Sequence, residues 1–313
     1  MNETLFDKKL LTERRRRAAS AIHSHDFLLS RACEDLTERL KTVTRDFPVA
    51  LNLCAHHGTM GRALAKFQSI KTLIDADACP VLLDHCCGAR TACDEEFLPF
   101  APASLDLVVS ALGLQFTNDL PGALVQICRA LKPDGLFLGA LLGGNTLHEL
   151  HSSMMQAENE CEGGASPHII PFTDVRDCGA LLQRTGFALP VTDTDRFSVT
   201  YASAFDLMRD IRAMGAGNML VQRSRKPMRR ETLFRMAELY AENHAAPNER
   251  ISATFEIIYM TGWAPDESQP KALKPGSAQS RLADALRTKE HTAGERPGLS
   301  GKPQEGEEGG PDG

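Results

Sequence analysis

Two short apolar runs, at residues 105–110 and 136–142, are almost unbroken by polar side chains. Runs of this kind form strands buried on both faces of a parallel sheet. Between them Leu120, Leu124, Ile127 and Leu131 recur at helical spacing. Asn118 or Asp119 stands where an N-cap belongs, and Lys132, Pro133 and Gly135 stop the helix. Strand, helix and strand together predict a right-handed crossover. The same reading predicts further strands at Val49–Leu53, 90–93, 187–191, 197–201 and 254–260. It predicts helices at 8–23, at 204–214 and at 231–243, one with Phe27, Leu28, Ala32, Leu36 and Leu40 on one side, and one capped by Thr173 and ended by Gly186. Residues 158–171, rich in glycine and holding prolines, have the size of a lid or substrate loop, and His168 lies within it.

Open parallel sheets bind ligands outside the carboxyl ends of their strands. Three places on this chain fall there. Asp94 and Glu95 follow the strand at 90–93 and are placed to accept hydrogen bonds, although a solvated acidic turn reads the same way. The strand Val49–Leu53 leads into a loop holding Asn52, Cys54, His56 and Gly58, with Thr59, Gly61 and Leu64 opening a helix. Asp77 follows Gly58 by 77 − 58 = 19 residues, close to the ~20 after which an acid reaches ribose hydroxyls in comparable folds. Asp75 competes for that role, and an exposed turn carboxylate remains the plainer alternative for either.

The motifs D-E-E-x-L-P-F from Asp94, S-x-D-L-V-V-S from Ser104, N-D-L-P-G-A-L from Asn118 and L-K-P-D-G-x-F from Leu131 resemble the class I S-adenosylmethionine-dependent methyltransferases. GGNTLHEL from Gly143, EGGASPHIIPFTDV from Glu162 and YMTGWAPDESQ from Tyr259 resemble, within that family, the complex I assembly factor 5 branch of arginine hydroxylases. That branch neighbours the malonyl-carrier-protein methyltransferases of biotin synthesis. The resemblance implies a Rossmann-like α/β fold: a mostly parallel seven-stranded sheet with helices on both faces. It also implies an N-terminal helical segment at 1–46 packed over the ligand edge, a methyltransferase-like domain with lid and helical insertions at 47–265, and a tail at 266–313.

S-adenosyl-L-methionine is the implied cofactor. The resemblance puts its methionine part at Asn52, Cys54 and Gly58, its ribose at Asp77, its adenine at Asp94 and Glu95, and its transferring group near Ser110. Here the chain departs from the family. One glycine of three remains in the loop, Asn52 replaces an acid, and Gln115 and Phe116 stand where the branch usually carries His-Trp. Gln115 orients a substrate by hydrogen bonds but takes up no proton near neutral pH. Gln115 and His168 are the catalytic candidates. The implied function is modification of an arginine, by hydroxylation, on a protein subunit of respiratory complex I, with peripheral contact to that membrane-bound assembly. Two alternatives stay open: a methyltransferase of the malonyl-carrier-protein type, and a non-catalytic assembly chaperone with a degenerate cofactor loop.

Composition narrows the setting. A net charge of −6 over 313 residues argues against nucleic acid as the main partner. Nine cysteines, an odd number with no C-x-x-C spacing, suit free thiols in a reducing compartment. His85, Cys86 and Cys87 with His56 and His57 suggest a metal site, but adjacent helical residues point ~100° apart, and no metal is assigned. No apolar run approaches the ~18 residues of a bilayer span, and no signal-peptide core opens the chain. Family-like sequence begins almost at once, so the expectation is a cytoplasmic protein without a presequence. Basic clusters lie at Arg14 to Arg17, reading as a contact for an acidic partner or anionic lipid or as a solvated helix face, and at Arg223 to Arg230, reading as a contact for a protein substrate or as solvated loop charge. Beyond Asp266 the chain is rich in Gly, Pro, Glu, Lys and Ser, too polar to order itself apart from a short helix at 280–287.

Overall fold

The apolar runs pair in parallel, Val108 beside Phe137 and Ala111 beside Ala140. A computed structural model describes residues 4–270 and Arg287; the remainder of the expected tail, including residues 280–286 of its expected helix, lies outside the described residues. The chain runs α1 (Lys8–Ala18), a 3-10 turn (Ile22–Ser24), α2 (Phe27–Lys41), β1 (Val49–Leu53), α3 (Thr59–Leu64), β2 (Thr72–Asp77), α4 (Pro80–Leu83), β3 (Ala89–Ala92) and β4 (Leu105–Ala111). A second 3-10 turn (Leu114–Phe116) precedes α5 (Leu120–Ala130), β5 (Leu131–Leu142), α6 (His148–Glu162), α7 (Val175–Arg184), β6 (Ala188–Tyr201), α8 (Ala204–Ala213), α9 (Arg230–Asn243), β7 (Ala245–Ala246) and β8 (Arg250–Trp263).

The strands form one sheet in the order β3-β2-β1-β4-β5-β8-β6, with β7 pairing β8. Strands β1 to β5 are parallel. β8 runs antiparallel to both β5 and β6. The expected seven strands are this path, and the two-residue β7 is the eighth among the described residues. The sequence order reverses at β1, between β2 and β4, which is where such sheets open a ligand crevice.

Side-chain alternation divides the core between the two faces. Leu107 and Val109 of β4 join Leu28, Ala32, Leu36 and Leu40 of α2, together with Leu150 and Met154 of α6 and Met236 of α9. Val108 points the other way, to Leu124 and Ile127 of α5 and Leu181 and Leu182 of α7. Among the described residues no helix is long and apolar enough to cross a membrane.

Several boundaries differ from the sequence reading. Asp119 is the cap, its carboxylate accepting from the Gly122 N–H, but the helix stops at Ala130 and Leu131 opens β5. Lys132 precedes a proline, which disfavours helical backbone there. Helix α1 stops at Ala18, and α6 carries on through Glu158 to Glu162, shortening the lid connection. Asp174, rather than Thr173, caps α7 by accepting from the Arg176 N–H. The two strands expected at 187–191 and 197–201 are one strand, β6, laddered to β8 from Val191 to Tyr201. Its polar middle hid it: Asp193 accepts from Arg39 at 2.6 Å and 2.8 Å, and Asp195 from Arg31 at 2.6 Å, so α2 supplies the partners.

Leu36 is fully buried between α2 and the sheet. Its replacement by alanine is expected to cost about 2–5 kcal/mol in urea unfolding, transfer and cavity together. A loss within error of zero would show that α2 does not seal this face.

Candidate functional site

At the carboxyl end of β1 the Asn52 amide donates to Asp75 at 2.7 Å, and the other Asp75 oxygen accepts from the Gly88 N–H at 2.8 Å. Asn52 and Asp75 are direct neighbours across the β1–β2 ladder, and both are fully buried. An acid at 52 would face Asp75 and repel it, so the amide is what this ladder position accepts. Asp75 is thereby enclosed and engaged within the sheet.

Asp77 is buried too, but at the rim. One of its oxygens accepts from the His56 N–H at 2.9 Å and the other from the Cys79 N–H at 2.8 Å. The first of these bonds holds the loop after β1. Cys54 (φ 58°), His56 (φ 49°) and Gly58 (φ 81°) all adopt left-handed backbone there. These are the alternate positions at which the resemblance expects glycine. An L-residue in that conformation costs about 1–2 kcal/mol, so the glycine-type path persists with side chains attached. Those side chains turn inward. A Cβ on Gly113 would lie 2.2 Å from the Cys54 Cβ, so the thiol occupies the space that Gly113 leaves. His56 Nε2 meets the Ala111 carbonyl at 2.9 Å, which fixes the proton on that nitrogen. Burial, with Arg15 nearby, lowers the His56 pKa to about 4, and burial raises the Cys54 thiol well above its ordinary value.

Asp94 and Glu95 follow β3, and Lys8 of α1 reaches both. Its ammonium contacts Glu95, with Asp94 at 3.2 Å and Glu96 at 3.4 Å. Burial works against the Lys8 charge, yet the three carboxylates hold its pKa above the ordinary value. Glu95 is buried, so the acidic turn is gripped by α1 and not merely solvated. Ser110 is fully buried at the end of β4. Gln115 donates to the Leu112 carbonyl at 3.0 Å, and Leu112 is itself left-handed at φ 51°. Strained backbone on the loops after both β1 and β4 is the pattern of a functional rim. Among the described residues Asn52 Oδ1, Ser110 Oγ and Gln115 Oε1 are buried without a hydrogen-bond partner. A cavity of about 70 Å³ here is lined by Arg15, His56, Leu112, Gln115 and Phe116 among others.

His168 stands apart from this rim. Its Nε2 lies 2.6 Å from Glu158 Oε1 and 3.1 Å from Ser166 Oγ, a cluster that pins the lid segment to α6. Burial opposes the Glu158 charge, but Ser166 and His168 outweigh it and lower its pKa. The neighbours of His168, Pro167, Ile169 and Ile170, line a second cavity of about 470 Å³ with Gly144, His148 and His151. Gln115 thus lines the first cavity while His168 lines neither, and the apolar cluster of Phe6, Leu11, Phe116, Ile170 and Leu220 connects the walls of the two.

The Arg14 to Arg17 cluster is not one surface. Arg15 is buried, Arg14 donates to the Asn218 carbonyl, and Arg16 and Arg17 pair with Glu13 at 2.9 Å and 2.8 Å. Lys8, Leu11 and Arg15 fall on one helical face at spacings of three and four. That spacing is the signal that identifies Lys8 and Arg15 as site residues. In the second cluster Arg223 pairs with Asp7 at 3.3 Å, while Arg225, Lys226, Arg229 and Arg230 are exposed. Among the described residues no group of three or more His, Cys, Asp or Glu side chains is placed to hold a metal.

Two outcomes are expected from this packing. Gly113→Ala should destabilise the chain by about 1–3 kcal/mol through overpacking, and most of that loss should vanish when Cys54→Gly is combined with it. Strictly additive costs in urea unfolding would show that the two residues do not share the space. His56 titrates at about 4 when folded against 6.5 ordinarily, so as pH falls the unfolded chain takes the proton first. Its contribution to stability is therefore full above pH ~6.5 and is lost between there and pH ~4. His56→Gly should flatten the fall of unfolding free energy across that window. An unchanged slope would assign the effect to other groups.

Comparison with known proteins agrees with this architecture. The methyltransferase-domain family profile matches residues 53–139. The YcgJ protein of Bacillus subtilis superposes with a TM-score of 0.53 at 14% identity, covering 74% of this chain and 99% of that one. The malonyl-[acyl-carrier protein] O-methyltransferase of Gallionella capsiferriformans is 29% identical over 89% of this chain and 97% of its own length. The arginine-hydroxylase NDUFAF5 of Danio rerio is 38% identical over 90% of this chain and 89% of its own. That relative and those of Rattus norvegicus and Homo sapiens are named mitochondrial, which overturns the cytoplasmic expectation. Free thiols separate reducing from oxidising settings, but they do not separate one reducing compartment from another. A class I methyltransferase fold with 38% identity across nine-tenths of both chains places this protein in the NDUFAF5 arginine-hydroxylase family.

Proposed function

We propose that this chain binds S-adenosyl-L-methionine at the carboxyl edge of β1, β2 and β4 and acts on an arginine of a protein subunit during assembly of respiratory complex I. The observation that carries this reading is the 38% identity, spread over nearly the whole chain, to an enzyme named as an arginine hydroxylase. The residues present suit the cofactor. Asp77 keeps acceptor capacity for ribose hydroxyls beyond its two backbone bonds, since a carboxylate has about four lone-pair sites. Asp94 and Glu95 stand where the adenine would lie. The unpartnered Asn52 Oδ1, Ser110 Oγ and Gln115 Oε1 await polar ligand atoms, because buried polar atoms in folded chains normally have partners.

When bound, the cofactor's sulfonium centre supplies an electrophilic methyl group. The chain's own residues bind, orient and exclude water. Gln115 holds the Leu112 turn by donating to its carbonyl, and its side chain lines the cavity. The Glu158–His168–Ser166 cluster fixes the lid segment beside the larger cavity, whose wall of Pro167, Ile169, Ile170, Pro171 and Phe172 suits a peptide more than a small polar substrate. The exposed cations at 225–230 would meet an acidic stretch of such a partner. Cys54 and His56 crowd the side where the methionine part would lie, which disfavours rapid methyl transfer; hydroxylation of an arginine would draw its oxygen atom from dioxygen and two electrons from an external reductant. The malonyl-carrier-protein reading keeps a place because a methyltransferase of that name aligns over 97% of its length.

Deleting the gene and weighing the arginine-containing peptides of complex I tests the assignment. The expected result is loss of one oxygen mass from one arginine. Loss of a methyl mass would transfer the assignment to methylation, an unchanged mass with failed assembly would leave a chaperone, and normal complex I would contradict the whole reading.

A further inference from the structure

Arg14 and Arg17 lie about one helical turn apart on α1, beside the face that carries Leu11, Arg15 and Ala18 inward. Two further arginines reach them from the far end of the chain. Arg212 stands exposed in the last turn of α8, and the backbone just after it packs on α1. The Gly215 N–H donates to the Arg212 carbonyl at 3.0 Å, and a Cβ on Gly215 would lie 3.2 Å from the Arg15 Cα and 3.5 Å from the Ala18 Cβ. Gly217 packs on the Arg14 guanidinium, where a Cβ would lie 2.8 Å from Nη1. Arg223 completes the group by pairing at 3.3 Å with Asp7, the residue that caps α1.

Like charges gathered in this way repel one another. Burial first, and then the charges of Arg223, Arg212 and Arg17, lower the Arg14 pKa, and Asp7 offsets them only in part. Asp7 and Glu13 are the acids that engage the group, the first held by Arg223 and the second shared between Arg16 and Arg17. Arg14 donates to the Asn218 carbonyl, and the Arg212 side chain has no partner among the described residues. A chain of net charge −6 thus holds a local excess of guanidinium groups against repulsion and partial desolvation, which an arriving anion relieves.

The same stretch of chain walls the larger cavity. The Asn218 side-chain amide donates to the Pro167 carbonyl at 2.8 Å, and Arg223 donates to the Leu220 carbonyl at 2.7 Å. Pro167, Leu220 and Gln222 line that cavity with Ile169, Ile170 and Phe172. One wall therefore supports both the guanidinium groups and an apolar hollow of about 470 Å³.

We propose that these four arginines and the hollow together receive one segment of a partner protein, its clustered carboxylates on Arg14, Arg17, Arg212 and Arg223 and a neighbouring apolar side chain in the hollow. This rests on the reading of the chain as acting on a protein subunit, and it names the chemistry of the segment held. The exposed cations at 225–230 add attraction at long range, whereas the cluster sets where the segment sits. Arg14 and Arg223 are half-buried and tied to backbone carbonyls, so their planar forks are pre-set for carboxylates. An anionic lipid surface is met instead by cations free to extend toward it, and this group is partly sunk beside a concavity.

The test is fluorescence anisotropy of the full chain with a fluorescein-labelled hexaglutamate peptide ending in Leu-Phe. Arg17→Glu combined with Arg212→Glu, both at exposed positions, should weaken the peptide by about tenfold. Arg129→Glu combined with Arg184→Glu makes the same change of net charge at exposed positions on α5 and α7 and should leave the affinity within about twofold. Equal weakening by the two pairs would leave only a general field and overturn the proposal, as would an unaltered chain that binds the peptide no better than hexaglutamine with the same ending. Sedimentation with vesicles of phosphatidylglycerol and phosphatidylcholine in equal parts should not respond to the first pair; vesicle binding which that pair abolishes would give the surface to lipid and overturn the proposal. Should the first pair fail to fold, Arg212→Gln alone should weaken the peptide by about twofold, and an unchanged affinity would count against the proposal. In cells lacking the gene, the first pair should restore the oxygen mass on complex I poorly while the purified variant binds S-adenosylhomocysteine as the unaltered chain does; full restoration would overturn the docking role. A complex I unaltered by deletion of the gene would instead defeat the reading on which the proposal rests, a result separate from the peptide titration.

Discussion

The carboxylate of Asp77 ties together the loops that follow β1 and β2. It accepts the His56 N–H from one and the Cys79 N–H from the other, and beside it the Ala55 N–H donates to the Ala76 carbonyl at 2.9 Å. Hydrogen bonds to a charged group contribute about 1.5–3 kcal/mol each, enough to offset left-handed backbone at Cys54 and His56 at about 1–2 kcal/mol per residue. The tie thus lets ordinary residues follow a path suited to glycine. It also sets the charge that α1 meets, because Arg15 approaches Asp77 from the same face that carries Lys8 to Asp94, Glu95 and Glu96.

The departures from the family pattern around this carboxylate fit one another. Asn52 donates to Asp75 where an acid would repel it, Cys54 fills the space left at Gly113, and His56 reaches across to the Ala111 carbonyl of β4. Each substitution has a partner inside the fold, so the rim is repacked and not eroded. Repacking of this kind keeps the carboxylates of Asp77, Asp94 and Glu95 in place while changing the side chains on the loop after β1.

Much of the scaffold was legible because it is written locally. The run Val49–Leu53 is apolar throughout except for Asn52, and it is strand β1 with the bounds its pattern predicts. Asp119 sits three residues before the N–H it caps. What depends on partners distant in sequence was not legible. The polar middle of β6 reads as a loop until Arg31 and Arg39 are seen opposite Asp195 and Asp193. Arg15 sits in a run of four arginines, and only the three-dimensional course of α1 separates it from its solvated neighbours. Glu158 reads as part of the connection because glycines and prolines follow it closely, and its partners Ser166 and His168 come 8 and 10 residues later, at spacings that no helical pattern reveals. The candidate site was legible as a list of acids and loop positions, but not as an arrangement, since Lys8 and Arg15 arrive from a helix far from them in sequence.

The central claim is that this repacked rim still recognises a nucleoside with an amino-acid end. Native mass spectrometry of the purified chain with S-adenosylhomocysteine addresses it directly. A one-to-one complex that is retained by the unaltered protein and lost in Asp77→Asn is the predicted result. No complex with either chain, or one that Asp77→Asn retains undiminished, would contradict the account.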